Sequence, residues 1–251
     1  MFKPFARISR INFLILSGSQ AAFTLIVWQL SPAGLIPHPL HIFEGLTELV
    51  TTRLLLDNLL VSLLLTLKAL VYSVGITLFF AYLSVIPFFR SIAQLIVKCR
   101  YLTLTGLIFI FTLLTRDGSA LKLTLLVFGI VPFFTTSLLS VIAHIPAQEF
   151  ELCQTLGYSR RQSLYEVIVV GKADQVFEIV RQNFAIAWMM ITMVEGLNMS
   201  EGGIGALLIK YNKYNDLTHV LALQAVVFGL GLFFDYLLGT MRHWLFPYTK
   251  H

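Results

Sequence analysis

Charge is the first thing this sequence is short of. Only 12% of its residues are Asp, Glu, Lys or Arg, roughly half the usual share of about 25% in a soluble domain. With 57% hydrophobic residues and a mean hydropathy of +0.81, that scarcity excludes an ordinary soluble domain and leaves a polytopic membrane protein. Cysteine is scarce too. Cys99 and Cys153 are too few for a disulfide framework, and reduced thiols are expected. The sequence also lacks GxxxxGK[ST], GxSxG and HExxH, so it offers no phosphate cradle, no nucleophile elbow and no zinc protease site. His38 and His41 have no carboxylate or cysteine at ligand spacing to complete a metal set. No catalytic residue can be named, and the chain is expected not to be an enzyme.

What the chain has is long apolar runs. Residues 13–30, 58–86, 91–114, 121–145, 183–197 and 220–241 read as about six transmembrane helices in an all-α bundle, with residues 1–251 as one membrane domain. The run at 183–197 is short for a crossing, which predicts an earlier start. Residues 31–39, carrying Pro32, Gly34, Pro37 and Pro39, read as an irregular external loop. Leu40, Phe43, Leu46, Leu49 and Val50 recur at helical spacing, which predicts an amphipathic helix on the outer surface. Pro132 should kink the fourth span. The segment at 198–218, with Gly202, Gly203 and Gly205, reads as a polar external stretch.

Three ionisable residues fall within or near the ends of spans: Lys68, Glu195 and Asp235. Such groups face cavities, partners or interfaces because lipid solvates them badly. Lys68 and Glu195 are the candidates for a translocation path or for pairing with each other, and Asp235 is expected at an interface. The net charge of +5 would suggest nucleic acid in a soluble protein, but here the basic residues flank spans, and no nucleic-acid partner is expected. Lys3, Arg7, Arg10, Arg90, Lys98, Arg100, Arg160, Arg161, Lys172, Arg181, Arg242 and Lys250 fall on one side of the six-span arrangement. Arg53, Arg116, Lys122, Lys210 and Lys213 fall on the other. The excess predicts cytoplasmic termini in a multi-pass plasma (inner) membrane protein.

The long polar interruption lies at 146–181. Pro146 can open a helix, and Glu149 and Glu151 suit its first turn. Phe150, Cys153 and Leu156 form an apolar stripe. Gly157 can end the helix in a left-handed conformation, and Ser159 with Gln162 is a capping-box pattern that starts a second helix. Leu164, Tyr165, Ile168 and Val169 give that second helix its apolar side. The expectation is helix, glycine corner, helix, with Arg160 and Arg161 at the elbow.

Glu151-Leu152-Cys153, Gly157 and Val167-Ile168-Val169 resemble the cytoplasmic EAA loop of ABC importer permeases. Leu152 and Cys153 stand at the two alanine positions and Val170 at the closing proline. The stretch from Leu35 to Val50 and the glycine cluster at 202–205 resemble the nitrate, sulfonate and taurine import subgroup. What the resemblance implies is a coupling loop that docks on an ATP-hydrolysing subunit through Glu149, Glu151, Cys153, Gly157, Tyr158, Arg160 and Arg161. It further implies ATP and magnesium held by that subunit rather than by this chain, a second permease copy or sister permease, an extracytoplasmic substrate-binding protein, and a small anionic solute. An ion-driven secondary transporter and the coupling subunit of a vitamin-type importer are the other readings, and the first would account for Lys68, Glu195 and Asp235.

Overall fold

The computed structural model describes residues 9–29, 37–115, 117–199 and 201–249. Lys3, Arg7, the 31–36 part of the external loop, Arg116 and Lys250 lie outside the described residues. Eleven α-helices run in order among those that are described: α1 (Arg10–Gln29), α2 (Pro39–Thr51), α3 (Leu54–Leu83), α4 (Pro87–Lys98), α5 (Leu104–Leu114), α6 (Gly118–Ala143), α7 (Ala147–Thr155), α8 (Arg160–Leu164), α9 (Ala173–Leu197), α10 (Ile204–Lys213) and α11 (Leu217–Leu245). The protein is an all-helical, polytopic bundle. Four of the described helices are long and apolar enough to cross a membrane, namely α1, α3, α6 and α11. The described helix α9 has 25 residues, and Asp174, Glu178 and Arg181 near its start lower its hydropathy.

Helix α6 is the axis of the bundle. Leu125, Leu126, Ile130 and Phe134 are wholly buried along it, and α3 and α9 pack on its two flanks. Helix α3 explains how so apolar a helix can still have a distinct inner face. Besides Leu55 and Leu70, its buried positions are Ser62, Thr66, Ala69, Ser73, Thr77 and Ala81, a stripe of small residues three or four apart that lets backbones approach closely. Leu60, Leu64, Leu67 and Val71 on the other side are exposed, as suits a lipid-facing surface. In a membrane the small residues rather than the large ones mark the helix contact.

Three expectations are corrected by the fold. The run at 91–114 is not one straight crossing: the helical segments Pro87–Tyr101 and Leu104–Leu114 are bent by 114° at the extended residues Leu102 and Thr103. With 11 residues, α5 is only about 16 Å long, half of a hydrocarbon core of about 30 Å. Helix α2 rests on only part of the stripe expected for it. Leu49 is buried and Leu46 packs against the core, whereas Leu40, Phe43 and Val50 are exposed; Gly45, off the stripe, is buried as well. Gly45 faces Thr218 and His219 at the start of α11, so α2 is docked on the bundle. Lys122 is no exposed external charge either, since it is 1% exposed inside the bundle.

Candidate functional site

Two sites stand at opposite ends of α9. The first is the polar loop. Helix α7 ends in a Schellman turn, in which the Gly157 N–H donates to the Gln154 carbonyl and the Tyr158 N–H to the Cys153 carbonyl, both at 3.0 Å. Gly157 adopts φ +82°, a region that a side chain with Cβ resists. Ser159 then caps α8 through the full capping box, with its N–H donating to Gln162 Oε1 at 3.0 Å and its hydroxyl accepting from the Gln162 N–H. The corner expected from the sequence is present because each of its parts is a contact between residues three to five apart. Loss of the Ser159 hydroxyl in Ser159→Ala should cost about 1 kcal/mol of local helix stability; faster amide exchange confined to α8 is the expected readout.

After α8 the backbone takes a form that no local sequence signal announces. Residues Tyr165–Val170 form a π-helical turn, closed by the Gly171 N–H donating to the Glu166 carbonyl at 2.8 Å. The wider turn shifts the apolar side of the helix by one residue. Val167 and Ile168 are buried, while Tyr165 is exposed.

The loop residues divide into two sets. Glu151, Gly157, Tyr158, Arg160 and Arg161 are exposed, and Leu152 and Leu156 beside them are exposed apolar side chains. Of the apolar stripe Phe150, Cys153 and Leu156, only Cys153 is buried, and Leu156, at the C-cap of α7, is exposed. Glu149 is turned towards α9, where its carboxylate pairs with Lys172 at 2.8 Å. From there ion pairs continue inward: Arg242 of α11 reaches Glu178 at 2.8 Å and Asp174 at 3.6 Å. Arg181 meets Asp235 at 3.0 Å. Asp235 therefore has a cation partner across the α9–α11 contact.

The second site is a buried polar hub at the far end of α9. Glu195 is wholly buried. Its carboxylate accepts from the Ser62 hydroxyl at 2.7 and 2.8 Å and from the Gly205 N–H at 2.9 Å. Ser62 Oγ in turn accepts from the Ile204 N–H at 2.9 Å, and Asn58 Oδ1 accepts from the Gly203 N–H at 2.7 Å. The free N–H groups at the start of α10 are thus satisfied by α3 and α9, with a carboxylate where the helix dipole favours one. The Lys122 ammonium donates to the Gly202 carbonyl at 3.0 Å and supplies the opposing charge to Glu195. A Cβ on Gly205 would overlap the Thr192 backbone, so glycine is required for α10 to lie so close to α9.

Lys68, the other path candidate, does not meet Glu195. It lies exposed on α3, and no ion pair to it is found among the described residues. The sequence reading offers Lys68 as the partner of Glu195 and counts Lys122 among the external basic residues, so neither the true cation nor the hydroxyl and backbone donors of the hub carried a signal.

No family model matches the chain. A chain from the crystal structure of an amino acid ABC transporter with histidines superposes with a TM-score of 0.67 at 17% identity, covering 79% of this chain and 97% of that one. The fold is that of an ABC transporter chain. Over 97 residues the sequence is 26% identical to a protein of Methanocaldococcus jannaschii named as an ABC transporter permease. The matched stretch is 39% of this chain and 36% of that relative, so the chain spans about a third of the relative's length. Both comparisons find proteins of ABC transporters as what this chain is similar to.

Proposed function

We propose that this chain is the membrane-spanning permease subunit of an ATP-driven ABC importer for a small solute. The observation that carries the reading is the exposed helix, corner, helix at 147–164, on a fold shared with an ABC transporter chain. A nucleotide-binding subunit closing on ATP would press on Leu152, Leu156, Tyr158, Arg160 and Arg161. The Glu149–Lys172 pair and the Arg242–Glu178 and Arg181–Asp235 pairs would pass that displacement to α9 and α11. Two permease copies, or this chain and a sister, would rock between inward-open and outward-open states, with an extracytoplasmic protein delivering the solute. Coupling through this loop requires it to face the cytoplasm, as the distribution of basic residues favours.

The proposed solute class is a small anion of the nitrate, sulfonate or taurine kind. Lys68, on the exposed face of α3 with Leu64 and Val71, would meet it where a second permease copy rather than lipid covers that face. The amino acid of the structural neighbour is the second solute class for the same transport assay. Purification in mild detergent tests the reading: an ATP-binding subunit should co-purify with the wild type and be lost from a Tyr158→Ala/Arg160→Ala/Arg161→Ala variant that still inserts. A chain that purifies without any ATPase and transports on an ion gradient would overturn it.

A further inference from the structure

The α4–α5 elbow has two adjoining cavities that neither the loop nor the hub uses. One, of about 400 Å³, is lined on its polar side by Gln94, Lys98, Arg100, Tyr101 and Thr136. The other, of about 270 Å³, shares Arg100 and is otherwise mainly apolar, with Phe128, Phe133, Met190 and Met193 in its wall. No carboxylate lines either cavity. Lys98 and Arg100 are exposed, and neither forms an ion pair among the described residues. The Arg100 guanidinium instead donates to the Tyr101 hydroxyl at 2.9 Å and lies 4.9 Å from the ring centroid.

The surroundings are those of a bilayer surface. Phe88, Ile92 and Leu95 are exposed along α4 at four- and three-residue spacing, with Arg90 beside them, the pattern of a helix lying in an interface. The depth agrees. Helix α6 has 26 residues and is about 39 Å long, about 9 Å more than the hydrocarbon core. That surplus, taken at the loop end, puts Thr136 and Leu139 near the boundary. Leu139 lines the cationic cavity and also the one formed with Phe150, Leu164 and Ile168 of the polar loop.

We propose that this elbow binds one anionic phospholipid of the leaflet on the loop side. Lys98 and Arg100 take the headgroup phosphate, the Gln94 amide donates to the remaining headgroup oxygens, the Thr136 hydroxyl, whose hydrogen goes to the Pro132 carbonyl at 2.7 Å, accepts from a headgroup hydroxyl, and an acyl chain lies in the groove along Phe128, Phe133 and Met190. A free phosphate would use the cations and leave the groove empty. The adjoining apolar groove is what selects a lipid. The bound lipid would sit beside the loop, separated from it by α4 and the Leu139 end of α6.

Native mass spectrometry of the full chain, released from detergent with phosphatidylglycerol or phosphatidylcholine of identical acyl chains, tests this. Two basic contacts should give a preference of roughly tenfold to thirtyfold for phosphatidylglycerol. Lys98→Gln/Arg100→Gln should abolish the preference, Lys98→Arg/Arg100→Lys should keep it, and Lys210→Gln at the other end should leave it unchanged. Equal retention of the two lipids, or a preference that survives the double glutamine variant, overturns the site. Displacement of the lipid by inorganic phosphate overturns the assignment to a lipid. If the glutamine variant does not fold, the wild-type ratio and the phosphate competition decide.

Discussion

Glu195→Ala is expected to lower the stability of the purified protein by about 3–5 kcal/mol. The carboxylate is wholly buried and accepts from Ser62 and from the start of α10. Its removal leaves the Ser62 hydroxyl and the Gly205 N–H without their acceptor and takes from the buried Lys122 ammonium one of the two carboxylates, Glu195 and Glu201, that oppose its charge, and a buried ion stripped of opposing charge is costly. For a chain of this size about 2–4 °C of midpoint accompanies each kcal/mol, so a fall of roughly 6–20 °C is expected in a thermal melt. Glu195→Gln keeps acceptors in place and should cost less, about 1–3 kcal/mol. Adding Lys122→Met to Glu195→Ala should recover part of the loss, because it removes the stranded charge. A midpoint within about 2 °C of wild type for Glu195→Ala would mean that the hub contributes nothing to folding.

Gly157→Val should abolish coupled transport while membrane insertion and bundle stability stay near wild type. Gly157 is at φ +82°, and a Cβ built there meets nothing within 4 Å. The obstacle is therefore backbone strain of about 1–2 kcal/mol, not a clash. That distinction makes a graded series informative. Gly157→Asn, whose side chain tolerates the left-handed region, should retain the most activity, Gly157→Ala less and Gly157→Val least, an order set by backbone preference rather than by volume. The readouts are solute uptake and stimulation of the partner ATPase in reconstituted vesicles. Undiminished uptake and ATPase stimulation in Gly157→Val would remove the corner from the coupling mechanism.

The polar loop is largely legible in the amino-acid sequence. Ser159 with Gln162, and Gly157 after a short amphipathic stretch, are signals whose partners lie within a few residues, and local chemistry is enough to close them. The π-turn at Tyr165–Val170 is not legible, since those residues are apolar on either helical register. The bend between α4 and α5 is hidden for a related reason. Hydropathy averages across Lys98-Cys99-Arg100-Tyr101, where no proline or glycine announces a break, and the exposed basic pair at the elbow reads equally well as the edge of a straight span.

The hub shows the limit most clearly. Glu195 and Ser62 are 133 residues apart, and nothing near either residue names the other. Asp235, left at an interface by its position in the sequence, gained Arg181 only when α9 and α11 were brought side by side. What the amino-acid order determined alone was a membrane-spanning all-helical chain and a bent helix pair in its long polar stretch. These come from composition, hydropathy and contacts within a turn or two. Which buried ions meet, which apolar run breaks, and which side of α2 is covered were decided by packing between distant helices, because a small or polar residue can mark the contact face of its own helix but nothing beside it in the sequence names the distant helix that it meets.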